Sequence, residues 1–200
     1  MHWSELLHLG DLSLTVPAAG AIAAWLLAAR AWRAAVGWCL VFGLALALVA
    51  ATKIAFLGWA TRLPALDFKA VSGHAASFTT VFPTLAFLLL RPYRTTVRLA
   101  AAASTLALGG LVAAALVHAG EHTAAEAIAG WLIGAAASAC AIYLVGDIAA
   151  PPVGKAVLLC AGACMTIVWA LKRAPLGYWM VKVALALSGN THPTPWDHCG

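Results

Sequence analysis

Two short stretches carry most of the side chains able to do chemistry. The first is Val71-Ser72-Gly73-His74, directly before an apolar run. Serine is a good N-cap, and glycine lets a ligand approach the backbone closely. A helix starting here presents unpaired N–H groups and a partial positive charge, a natural anion site. His74 adds a group that exchanges protons near neutral pH. The same four residues also describe a plain N-cap with an interfacial histidine. The second stretch runs from His118 to Glu126 and holds His118, Glu121, His122 and Glu126. His118, His122 and Glu126 are four apart, so a helix through the segment predicts all three on one face. Glu126 then accepts a hydrogen bond from one imidazole nitrogen of His122 and leaves the other unprotonated, as a nucleophile or base requires. The alternative is that these polar residues mark the water interface between two spans. Four ionisable groups so close together are dense for an apolar chain, and such groups near membrane depth mark function. A third set is cationic: Lys53, Arg62 and Lys69. These are either interfacial anchors that snorkel or charge-assisted partners for phosphate oxygens.

The elements that must position these groups follow from composition. Of 200 residues, 64% are hydrophobic and 10% charged, whereas a soluble domain is roughly 45–50% apolar and about 25% charged. Mean hydropathy is +0.92. These values exclude a disordered chain, a small disulfide-stapled domain and a nucleic-acid module, so no nucleic-acid partner is expected. They predict an all-α, polytopic transmembrane bundle. About six apolar runs approach the roughly 20 residues a bilayer core needs: residues 12–29, 34–57, 74–90, 99–117, 123–145 and 153–171. Leu176–Ser188 is shorter and reads as an interfacial helix, with Tyr178 and Trp179 as belt anchors. The expected organisation is a single domain over residues 1–188, with its core at 53–130, followed by a loose tail over 189–200. Residues 1–11 contain no Lys or Arg, so they lack the basic start of a secretory signal peptide, and the first span is expected to be retained. Cys39, Cys140, Cys160 and Cys164 fall within apolar runs and Cys199 in the tail; a disulfide framework is not expected. Gly130-x3-Gly134 suits close packing of two helices.

Arg30, Arg33, Arg91, Arg94, Arg98 and Lys155 lie in three short seams that hold one acid, Asp147. By alternation those seams share one side, which is cytoplasmic by the positive-inside rule. The two chemical stretches then meet on the other side.

The order of these features resembles the type 2 phosphatidic acid phosphatase superfamily. Its pattern is Lys-x6-Arg-Pro, then Pro-Ser-Gly-His, then Ser-Arg-x5-His-x3-Asp. The resemblance covers about residues 53–130. Ser72-Gly73-His74 matches the second motif, with Val71 where Pro is usual. His122 matches the third-motif histidine, and Glu126 stands where Asp is expected. Leu116 stands where the third-motif Arg is expected. Lys53 matches the first-motif Lys; Arg62 is the only candidate for its Arg, separated by eight residues instead of six, and Leu63 precedes Pro64. Lys69 is a possible substitute cation.

The resemblance implies a lipid phosphatase needing neither metal nor cofactor. His122 attacks phosphorus, Glu126 orients it, and His74 protonates the leaving alcohol and then activates water. Lys53, Arg62, Lys69, Ser72 and Gly73 hold the phosphoryl oxygens; apart from the resemblance, His118 and Glu121 are candidate accessory groups whose participation the sequence leaves open. The implied substrate is a polyprenyl pyrophosphate, a phosphatidate or a phosphatidylglycerophosphate in a bacterial inner membrane, with the site facing the periplasm. Membrane lipids are the expected surroundings, and self-association into a homo-oligomer is left open. Two rival readings are a non-catalytic lipid-phosphate binder or transport component, and a zinc hydrolase. The latter uses His118-x2-Glu121-His122 in the manner of inverted zincins.

Overall fold

A computed structural model describes residues 8–146, 148, 153–171 and 175–196. Asp147, Pro151 and Pro152 of the third basic seam, together with Asp197 and Cys199, lie outside the described residues. The described chain forms seven α-helices: α1 (Leu12–Ala28), α2 (Trp32–Trp59), α3 (Gly73–Leu89), α4 (Thr95–His118), α5 (Ala124–Val145), α6 (Val153–Leu171) and α7 (Leu176–Ser188). Single 3₁₀ turns occupy His8–Gly10 and Pro64–Leu66.

The all-helical membrane bundle is as expected, but among the described residues fewer helices qualify as full spans than the six apolar runs predict. α2, α4 and α5 are long and apolar enough; α6 from Ala156 and α7, bent by 58°, make a fourth if taken together. α1 and α3 have 17 residues each, about 25 Å of helix against a hydrocarbon core of about 30 Å. α3 is the centre of the bundle, packing on α5, α4, α1 and α2. Its buried set includes Ser77, Thr79, Thr80 and Thr84, which a lipid-facing helix would not favour. Their hydroxyls are satisfied inside the helix: Thr79, Thr80 and Thr84 donate to the carbonyls of Ala75, Ala76 and Thr80. A buried hydroxyl needs such a partner. α2 shows the opposite environment, with Val36, Leu40, Leu44 and Leu48, four apart, forming an exposed apolar ridge. A ridge of this kind suits lipid contact.

Packing between helices in lipid rests on close van der Waals contact rather than on water exclusion, and small residues set the approach of α3 to α5. A Cβ on Gly130 would stand 2.5 Å from the Ser72 carbonyl oxygen, and one on Gly134 would stand 2.6 Å from that of Ala76 and collide with Thr79 Oγ1. α6 lies along α1, where Cys160 and Cys164 donate to the carbonyls of Ala21 and Pro17. At the end holding the basic seams, Arg98 is 4% exposed. Its guanidinium donates to the Phe87 and Gly146 carbonyls and lies over the Phe87 ring. It therefore closes the C-terminal ends of α3 and α5, where orphan carbonyls and the helix dipoles favour a cation.

α7 packs on the end of α2. The tail beyond it was expected to be loose, and up to Trp196 it is docked instead. Asn190 Nδ2 donates to the Gly58 carbonyl at 2.6 Å, Thr194 N donates to that of Leu57 at 2.9 Å, and the Trp196 ring sits 4.7 Å from that of Phe56. The α2 terminus supplies orphan carbonyls that the tail satisfies, which is a long-range match that composition does not reveal.

The glycine contacts make an expected outcome concrete. Gly134→Ala should destabilise the bundle by about 1–3 kcal/mol through overpacking. Gly43→Ala, whose added Cβ meets nothing within 4 Å, should be neutral or gain up to about 1 kcal/mol of helix propensity. Thermal unfolding in detergent checks both.

Candidate active site

Two helix N-termini stand side by side at the end of the bundle opposite Arg98. Ser72 caps α3, its Oγ accepting from Ala75 N. Thr123 caps α5 through a reciprocal capping box: its side chain accepts from Glu126 N, and the Glu126 carboxylate accepts from Thr123 N. The two starts are joined by Ser72 N donating to the Glu126 carbonyl at 3.1 Å. Unpaired N–H groups and two positive dipole ends thus share one region, the arrangement that favours an anion.

His122 Nδ1 lies 2.9 Å from Glu126 Oε2. A carboxylate only accepts, so Nδ1 carries the proton and Nε2 holds the lone pair in the neutral ring. Glu126 is 5% exposed, and its other oxygen accepts from Lys69 N at 2.9 Å and Ala70 N at 3.2 Å. The longer side chain, where the family pattern has Asp, fits this double duty, since a capping box favours Glu at the third helical position.

His122 and Glu126 meet as expected, but not on one continuous helix face with His118. α4 ends at His118 and α5 begins at Ala124. Between them Gly120 adopts φ +74°, a left-handed conformation that ends the helix. His118, the last residue of α4, and Glu121, on the connection, are both exposed. The break removes the single helix that the zinc reading requires, and among the described residues no three His, Cys, Asp or Glu side chains are gathered as a metal set.

The expected phosphate cations are distributed unevenly. Lys53 reaches from α2 to the start of α3; its Nζ lies 3.9 Å from the point a Cβ on Gly73 would occupy. Thr52, one residue earlier, accepts from Val71 N and anchors the loop entering α3. Arg62 is exposed on the α2–α3 connection, where it lines a recess of about 240 Å³ with Thr52, Phe68 and Lys69. Lys69 Nζ donates to the Trp196 carbonyl at 2.9 Å. Ser72 is fully buried at its cap. Leu116 is 0% exposed and packs with Ala75, Phe78, Val112, Ala113 and Ala127. The position at which the pattern expects an arginine is therefore core.

The structure adds one group to those the spacing picks out. Asp11, just before α1, places Oδ1 2.8 Å from His74 Nε2 and Oδ2 3.0 Å from His8 Nδ1. Its only signal in the sequence is that an acid precedes a span which alternation starts on the same side. Burial alone would raise the Asp11 carboxyl, but hydrogen bonds from His8 and His74, with their charge, hold it below its ordinary value of 3.8. Its contacts therefore contribute stability above that pH and lose it as pH falls through the lower folded value.

Comparison with known proteins gives one family and one relative. The family model of the PAP2 superfamily matches residues 56–149. A Klebsiella pneumoniae protein described as an uncharacterized 22.5 kDa protein in cps region is 32% identical over 149 residues, covering 72% of this chain and 69% of its own. No solved structure matches.

The core position of Leu116 yields an expected outcome. Leu116→Arg should not supply a useful phosphate ligand; burying an unpaired charge should cost about 3 kcal/mol or more. A fall in melting temperature in detergent, without improved phosphate binding, checks it.

Proposed function

Since the chain belongs to the PAP2 superfamily, whose members are of phosphatase type, we propose that it is an integral-membrane lipid phosphatase working through a phospho-histidine on His122. The observation that carries this reading is the pairing of two capped helix N-termini, one with the His122–Glu126 couple and the other with Ser72-Gly73-His74. In the first half-reaction His122 Nε2 bonds to phosphorus, the bond to the leaving alcohol or phosphate breaks, and His74 gives that oxygen its proton. Glu126 holds Nδ1–H and balances the ring's positive charge. In the second half, water bonds to phosphorus, His74 takes its proton, and the P–N bond breaks to release phosphate. Lys53 and the N–H groups at the start of α3 take the phosphoryl oxygens as charge builds. Ser72 holds the turn that aims those N–H groups. No step calls for a metal.

The lipid nature of the substrate is supported by where the site stands, at the end of apolar helices with exposed ridges. A polyprenyl pyrophosphate, a phosphatidate or a phosphatidylglycerophosphate all present the required headgroup. Arg30, Arg33, Arg91, Arg94 and Arg98 lie at the far end of the same helices, which supports a cytoplasmic placement of that end and a periplasmic site in an inner membrane.

A second reading is a lipid-phosphate binder without turnover. What favours it is the thin cation set: Leu116 is core, Arg62 is exposed, and the Lys69 ammonium reaches the tail.

Phosphate release from a panel of these lipids in detergent separates the readings. The proposal expects release that survives EDTA, falls at least about 100-fold in His122→Ala and in His74→Ala, and passes through an acid-labile phosphoenzyme that is absent from His122→Ala. Binding without release by the unaltered chain favours the binder, and loss of release in EDTA favours a metal enzyme.

A further inference from the structure

Asp11 stands at the N-cap of α1, where an aspartate ordinarily accepts an N–H from the first turn. Its side chain makes no capping bond; both oxygens go to histidines, Oδ1 to His74 and Oδ2 to His8. The contact with His74 joins residues 63 apart in the chain. It is supported from behind, since the Ser77 hydroxyl shares its one proton between the Gly10 carbonyl at 2.9 Å and the Gly73 carbonyl at 2.8 Å. The turn His8–Gly10 is pressed onto the first turn of α3 so closely that a Cβ on Gly10 would lie 2.7 Å from His74 Cβ.

We infer that Asp11 is a positioning residue for His74, holding the proton on Nε2 and leaving Nδ1 as the nitrogen that exchanges a proton with the substrate. The inference rests on the phosphatase reading above. In the first half-reaction Nδ1–H gives its proton to the leaving oxygen as the P–O bond breaks, and the ring becomes neutral with Nε2–H still on Asp11. In the second, the Nδ1 lone pair takes a proton from water as the water oxygen bonds to phosphorus and the P–N bond to His122 breaks. The cationic ring that starts the first half and ends the second faces the Asp11 carboxylate throughout. An aspartate does the same for a catalytic histidine in serine hydrolases, fixing its tautomer and orientation. Other charged or titratable groups at this end of the bundle include His8 on the same turn, Lys53 from α2 near Gly73, the His122–Glu126 couple at the start of α5, Arg62 and Lys69 on the α2–α3 connection, and His118 and Glu121 ahead of α5.

Removing the Asp11 charge makes the protonated ring easier to lose, so the alkaline limb of kcat/KM should move to lower pH. The test uses the full chain in detergent with dioleoyl phosphatidate and a polyprenyl pyrophosphate. D11N should lower kcat about 10- to 100-fold with KM little changed and shift that limb downward. D11E should recover most of the rate. S77A removes the other tie between the turn and α3, and should leave the limb in place whatever it does to stability. Wild-type kcat and an unmoved limb in D11N overturn the inference, as does a D11N faster than the unaltered chain. A limb shifted equally by S77A also overturns it, because the effect is then one of folding. An unaltered chain that releases no phosphate from either lipid overturns the phosphatase reading and this inference together; an active chain indifferent to D11N overturns this inference alone.

Discussion

The buried carboxylate of Glu126 ties together three parts of the chain that are otherwise independent. It closes the first turn of α5 through Thr123 N, takes the backbone N–H groups of Lys69 and Ala70 from the loop before α3, and holds His122 by Nδ1. A carboxylate that accepts from this many donors is fixed in direction. The backbone carbonyl of the same residue accepts from Ser72 N, so the N-terminus of α3 is registered against that of α5 by one residue. Loss of Glu126 would free the loop, the helix start and the imidazole at once.

The rest of the bundle serves this juxtaposition. Two helix starts can lie together only if α3 and α5 approach closely, which requires the absence of side chains at Gly130 and Gly134. At the far ends of the same two helices, Arg98 bridges the carbonyls of Phe87 and Gly146. A central helix surrounded by others can carry Ser77, Thr79, Thr80 and Thr84 with internal hydrogen bonds. Such a helix need not reach the length of a lipid-facing span.

On the phosphatase reading proposed above, the groups that would hold phosphate depart from the family pattern in a coherent way. With Leu116 in the core, backbone N–H groups and Lys53 are left nearest the start of α3. Lys69 contributes its backbone N–H to Glu126 and its ammonium to the tail carbonyl of Trp196. On that reading, a site of lower positive charge has less to offer a highly charged headgroup, and dipole ends and backbone donors would take a larger share of the work.

Composition and local pattern determined much about this protein. Apolar runs settle that it is a helical membrane bundle, because a backbone in lipid must satisfy its own hydrogen bonds within each segment. Ser72-Gly73-His74 before an apolar run, and His122 four residues before Glu126, were legible because capping and i,i+4 contacts act within one turn. The tertiary structure alone decided the rest. It put Asp11 on His74, Leu116 in the core, the Lys69 ammonium on the tail and a helix break between His118 and His122. Most of these depend on which distant segments come to lie against one another, and residue spacing along a single helix holds no record of that choice. The break at Gly120 is local, but a run of ionisable groups four apart reads as one helix until the backbone shows the left-handed turn that divides it.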